Sequence, residues 1–161
     1  MHKTAYRLYP VSYTHLDVYK RQDNIDLEYA KEHNIYVGRC VGSNSRSVAE
    51  HVLSMMFMEA KNLYTSVRDV KEHGWNKPTG REIYGKKLGI IGFGMIGKYL
   101  ADYAYGCGME VYAYDAFAIT DETAKQHHAK ISTLEEIITE CDYISPVSYT
   151  HLGSGQIDYR W

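Results

Sequence analysis

The chain has 161 residues, enough for one ordinary domain with a real core. Its net charge of −2 provides no basic surface for nucleic acid or an anionic membrane, so neither partner is expected. Three scattered cysteines, Cys40, Cys107 and Cys141, have no metal or redox spacing and read as reduced thiols of a cytoplasmic protein. The longest apolar stretch, Val52 to Met58, is interrupted by Ser54 and is too short to span a bilayer, and Met1 to Arg7 lacks an apolar signal core.

The two ends carry an exact repeat. Pro10-Val11-Ser12-Tyr13-Thr14-His15-Leu16 recurs as Pro146-Val147-Ser148-Tyr149-Thr150-His151-Leu152. Structural repeats are longer, degenerate and tandem. The longer string Val11 to Gln22 resembles the translation of a transposon end used to fragment DNA for sequencing, read into its own reverse complement at Leu16-Asp17. Residues 1–22 and 146–161 are therefore expected to be non-native tags, outside fold reasoning. His151 belongs to the repeat and is no catalytic candidate.

From Asp23 the chain reads as follows. Asp26 N-caps a short helix, Leu27 to His33, and Asn34 stops it in the left-handed region. Ile35-Tyr36-Val37 is a short β run, and Gly42 to Ser45 is a loop. Ser47-Val48-Ala49-Glu50 has the capping-box pattern, and Val48, Val52, Met55, Met56 and Leu63 form one apolar stripe. The pattern predicts one long helix from Ser47 to about residue 72, ended by Gly74, with His51 on it as a structural residue. Gly85 marks a turn into a first strand. A helix over 97–105 and a strand over 109–114 follow. Asp121 to Ala129 reads as a short helix, with His127 and His128 facing solvent and binding no metal. Thr133-Leu134-Glu135-Glu136 is a second capping box opening a helix to about Glu140, and Asp142 to Ser145 starts a third strand. This βαβαβ alternation predicts a parallel sheet, an α/β fold of the partial Rossmann type: half of a doubly wound sheet preceded by a long crossover helix.

The chemistry concentrates at Gly92, Gly94 and Gly97, a G-x-G-x-x-G turn between strand and helix. Gly92 permits the sharp turn, Gly94 lets a pyrophosphate approach the backbone, and Gly97 lets helix and strand pack closely. The first N–H groups of the helix carry partial positive charge toward the phosphates. Asp115 stands at the end of the next strand, 18 residues beyond Gly97, where a carboxylate accepts from the adenosine ribose hydroxyls. Ala116, Phe117 and Ala118 follow it, with no Arg or Lys to hold a 2′-phosphate, so the pattern favours NAD over NADP.

Asp23-Asn24-Ile25-Asp26-Leu27, Ser47 to His51, Gly85 to Gly97, Gly108-Met109 and Tyr114-Asp115, in that order, resemble the D-isomer-specific 2-hydroxyacid dehydrogenases, most closely the 3-phosphoglycerate dehydrogenase branch. The resemblance covers 23–145. It implies two Rossmann-like domains with the active site between them. Residues 23–45 would end the substrate domain, and 46–145 would form a truncated NAD-binding domain, its crossover helix first. It implies backbone contacts from Met95 and Ile96 to the pyrophosphate; many members have Arg at the Met95 position. It also implies a small 2-hydroxy acid substrate and a parent that is a homodimer or larger. The family's catalytic His, Arg and Glu would lie downstream of Ser145 and its carboxylate-binding loop upstream of Asp23, so no catalytic residue is assigned and the chain as it stands is expected to be inactive. Two other readings compete: a non-catalytic dinucleotide sensor or interaction module on the same scaffold, and a half-sheet that folds only marginally because its edge and apolar face stay uncovered.

Overall fold

The structure, a computed structural model, describes residues 26–37 and 42–147. The chain separates into two compact units, one ending at Ser43 and one beginning at Asn44. In the first, α1 is Leu27–Glu32. The Asp26 carboxylate accepts from the Tyr29 N–H at 2.9 Å, and Asn34 ends the turn at φ 52°, both as the sequence predicts. Residues 35–37 form no strand, contrary to expectation, and lie exposed. Three β-prone residues hold extended structure only where a neighbouring strand takes their N–H and C=O groups.

The second unit runs α2 (Ser45–Ala60), α3 (Leu63–Lys71), β1 (Lys87–Ile91), α4 (Met95–Gly106), β2 (Glu110–Tyr114), α5 (Asp121–Gln126), β3 (Ala129–Ile131), α6 (Leu134–Glu140) and β4 (Tyr143–Pro146). The strands form a parallel sheet in the order β3-β2-β1-β4. The parallel α/β architecture expected from the sequence is present, with four strands among the described residues where three were expected. The strand missed is β3. The sequence pattern carries the preceding helix to Ala129, whereas that helix stops at Gln126 and Ala129-Lys130-Ile131 form the strand. His128 makes the break, in the left-handed region at φ 55°. A histidine there gives no sequence signal comparable to glycine.

The core follows from strand alternation. Leu88, Ile90, Val111 and Ala113 are buried with Leu100, Ala101 and Ala104 of α4, against which α2 lays Ala49, Met56 and Ala60. On the other face Gly89 leaves room for Ile137 of α6, which is fully buried. β4 runs through Pro146, and the Val147 N–H donates to the Ile91 carbonyl at 2.8 Å.

The long helix predicted over 47–72 is two helices. α2 starts at Ser45, two residues before the expected cap, and Ser47 lies within it. It ends at Ala60, because the segment leading to β1 docks there. The Arg81 N–H takes the Ala60 carbonyl at 2.6 Å, and the Asn62 side chain, on a backbone at φ 52°, donates to the Thr79 carbonyl at 2.9 Å. The Arg81 guanidinium pairs with Glu59. An α-carbonyl engaged this way is lost to the helix ladder, so the chain restarts as α3. The end of α3 is a Schellman motif in which His73, at φ 62°, holds the left-handed position and Gly74 is the residue after it: Gly74 N–H donates to Asp69 O at 2.8 Å and His73 N–H to Val70 O at 3.1 Å.

Candidate functional site

β1 leaves the sheet through Gly92, whose φ of 101° is closed to residues with a side chain. Its N–H donates to the Tyr114 carbonyl at 2.7 Å, so the turn starts against the end of β2. The next N–H, that of Phe93, donates to Asp115 Oδ2 at 2.6 Å, while Asp115 Oδ1 accepts from the Phe117 N–H at 3.0 Å. Asp115 thus joins the glycine turn directly to the loop after β2. Each oxygen keeps a further lone pair for the ribose hydroxyls expected there.

The other two glycines do separate work. A Cβ on Gly94 would meet nothing within 4 Å, so the backbone is open to a ligand at that point. A Cβ on Gly97 would run into the Gly92 carbonyl oxygen and stand 3.2 Å from Cγ2 of Ile90, so Gly97 is where α4 touches the strand. Gly94 caps α4 without any side-chain hydrogen bond, and the first ladder bond runs from Lys98 N–H to Gly94 O at 3.0 Å. The N–H groups of the first turn, on Met95, Ile96 and Gly97, therefore have no intrahelical partner and sit at the positive end of a 12-residue helix. Met95 is 49% exposed beside them, while Ile96 turns partly into the core.

Gly92, Gly94, Met95, Ile96, Gly97 and Asp115 all gather at the carboxyl ends of β1 and β2. The chain runs outward from β1 to β2 and β3, then crosses back to β4 on the other side of β1. That reversal puts a topological switch point beside β1, where open parallel sheets bind their ligands. The open backbone at Gly94, the free first-turn N–H groups and the carboxylate at the end of β2 fit a dinucleotide. The residues after Asp115 supply no cation for a 2′-phosphate.

One histidine differs from expectation. His127 does not face solvent. Its Nδ1 lies 3.0 and 3.1 Å from the two oxygens of Asp102, and the side chain is 17% exposed. His128 is exposed, as expected, and stacks on Tyr105 with ring centroids 3.8 Å apart. His51 is exposed on α2. Cys107 and Cys141 are free, and burial pushes the Cys141 thiol above its ordinary value, which disfavours the reactive thiolate; Cys40 lies outside the described residues. No group of three or more metal-ligating side chains gathers among the described residues, and no described helix is long and apolar enough to cross a membrane. An open groove of about 530 Å³ runs along α2 and α4, lined by Glu50, Leu53, Phe57, Asp102 and Tyr103 and separate from the six residues at the switch point. The sequence pattern missed Phe93, a residue between two motif glycines whose backbone N–H meets the expected ribose ligand.

Comparison with known proteins identifies the family. The profile described as "D-isomer specific 2-hydroxyacid dehydrogenase, NAD binding domain" matches residues 53–151. The chain is 36% identical over 125 residues to the D-3-phosphoglycerate dehydrogenase of Bacillus subtilis, a match that takes in 76% of this chain and 24% of that protein. Among solved structures it is similar to the apo-structure of D-lactate dehydrogenase from Escherichia coli, with TM-score 0.71 and 28% identity over 78% of this chain and 40% of that one. It is also similar to D-lactate dehydrogenase from Aquifex aeolicus complexed with NAD and lactic acid, with TM-score 0.64 and 32% identity over 77% of this chain and 38% of that one. The chain thus spans well under half the length of each of these relatives, and it belongs to the D-isomer-specific 2-hydroxyacid dehydrogenase family, matching its NAD-binding domain.

Proposed function

We propose that this chain supplies the dinucleotide half-site of an NAD-dependent oxidoreductase that interconverts a D-2-hydroxy acid and its 2-keto acid. 3-Phosphoglycerate is the proposed substrate of the full-length parent, a cytoplasmic homodimer or larger assembly. Residues 46–145 form the first half of the NAD domain and 23–45 the end of the substrate domain. The observation that carries the reading is the glycine turn, open at Gly94 and tied through the Phe93 N–H to Asp115 at the switch point.

NAD, when bound, supplies the hydride acceptor. The chain's own residues bind and orient. The backbone at Gly94, Met95, Ile96 and Gly97 takes the pyrophosphate, and Asp115 takes the adenosine ribose. Met95 adds no charge, so the phosphate site depends on backbone N–H groups. Oxidation of a hydroxyl-bearing carbon also needs a base for the hydroxyl proton and a clamp for the substrate carboxylate. No residue at this turn is placed to do either, so the turn serves binding alone.

Calorimetric titration of the 161-residue chain with NAD and NADP tests this. NAD should bind and NADP bind at least tenfold more weakly. Asp115→Ala should weaken NAD by about 1–3 kcal/mol, the cost of losing hydrogen bonds to a charged group. Absence of NAD binding, or tighter binding of NADP, would overturn the reading.

A further inference from the structure

We propose that His127 is a positioning residue for the dinucleotide turn, acting through Phe93; this rests on the NAD reading above. Phe93 lies between Gly92 and Gly94 and is 5% exposed. Where its backbone stands decides where Gly94 and the first turn of α4 stand. Two contacts fix it. Asp115 holds its N–H at 2.6 Å. The His127 ring meets its ring edge-to-face, with centroids 6.3 Å apart and planes at 80°, within the favoured range for an aromatic pair.

His127 is itself fixed. Its Nδ1 faces both oxygens of Asp102, at 3.0 and 3.1 Å. A carboxylate only accepts, so Nδ1 carries the proton and donates, in the neutral ring and in the imidazolium alike. That bond sets the ring plane and hence the surface offered to Phe93. Asp102 lies on α4, about two turns after the helix start, and His127 caps the end of α5. One pair therefore joins the helix that offers N–H groups to the phosphates, the β2–β3 crossover, and the side chain inside the glycine turn. Binding geometry needs its supporting groups held to about half an ångström. A histidine that merely fills space would need neither the two-oxygen anchor nor a ring set edge-on to the one aromatic residue of the turn.

Two substitutions separate the contacts. His127→Gln keeps a donor for Asp102 and loses the ring; His127→Phe keeps a ring against Phe93 and loses the donor. Each is made in the 161-residue chain and read three ways: NAD titration, thermal midpoint, and exchange of the Phe93 amide by NMR without cofactor. The expected result is that His127→Gln weakens NAD about three- to tenfold, the worth of one aromatic pair, and speeds Phe93 amide exchange. His127→Phe, whose ring has lost its anchor on Asp102, should lower the thermal midpoint and weaken NAD less than His127→Gln does. NAD affinity and Phe93 exchange unchanged in His127→Gln would overturn the proposal, whatever the midpoint does. If His127→Gln fails to fold, Asp102→Ala at its partly exposed position, which removes both acceptors of the His127 N–H, takes its place, and Phe93 exchange unaltered there overturns the proposal equally. The exchange measurement needs no cofactor, so failure of the NAD reading, seen as no binding by the unsubstituted chain, remains distinct from failure of this one.

Discussion

α3 and α4 are both helices with an apolar stripe, and their fates differ. α4 buries Gly97, Leu100, Ala101 and Ala104 between the sheet and α2. α3 buries nothing: Leu63, Val67 and Val70, spaced at four and three residues, are 45%, 55% and 57% exposed. The periodicity that marks a helix is equally clear in both. Among the described residues, nothing covers the apolar stripe of α3. Helical spacing reports that a face is apolar; it carries no information about what covers it. The helix that opens at the expected cofactor residues is the one whose apolar face is buried.

The sharpest way to break this contrast is to truncate one residue on each helix. Leu100 is wholly buried among sheet and helix side chains, so Leu100→Ala should destabilise by about 2–5 kcal/mol. Val67→Ala, on the uncovered stripe, should stay within about 0.5 kcal/mol. Urea unfolding of both variants checks the pair. Equal losses would mean that α3 is covered in solution, and the contrast drawn above would fail. Gly97→Ala probes the closest approach of α4 to the strand. The added methyl meets the Gly92 carbonyl oxygen, a backbone atom with no rotamer to change. The expected cost is about 1–3 kcal/mol together with loss of measurable NAD binding, because α4 must move off the strand that positions it. Retained binding with normal stability would show that the helix is free to shift and that the third glycine is not required for packing.

The β1–α4–β2 unit was legible from sequence because each of its signals is local: alternating apolar residues, glycines where backbone or packing demands them, and an acid at a strand end. All six expected cofactor residues arrive at one end of two neighbouring strands. The failures have physical causes too. β3 is three residues long and starts after a left-handed histidine. The α2–α3 break is set by residues 79–81, far along the chain, whose backbone captures the Ala60 carbonyl. The run 35–37 has β propensity and no ladder. His127 and Asp102 stand 25 positions apart, and only the fold brings them together.

Two capping-box strings sharpen the lesson at the smallest energy scale. Thr133-Leu134-Glu135-Glu136 forms both halves of the box: Glu136 N–H donates to the Thr133 hydroxyl at 3.2 Å, and Thr133 N–H donates to the Glu136 carboxylate at 3.0 Å. Ser47-Val48-Ala49-Glu50 has the same pattern and is not the start of its helix, because α2 has already begun at a buried Ser45. The Thr133 N–H, then the Ser132 hydroxyl at 2.7 Å, hold the Glu136 carboxyl below its ordinary value. With the folded value depressed, its stabilisation is fully present above the unfolded glutamate value of about 4.3 and fades as pH falls through the folded one. Gln at this position keeps a cap acceptor and removes the charge. The thermal midpoint of Glu136→Gln should therefore lie slightly below that of the unsubstituted chain at pH 6, with the gap closing as the pH drops below about 4. Glu50→Gln, in the string that caps nothing, should open no such gap. A gap for Glu136→Gln that persists unchanged to pH 3 would assign the effect to shape rather than to the charge on the cap.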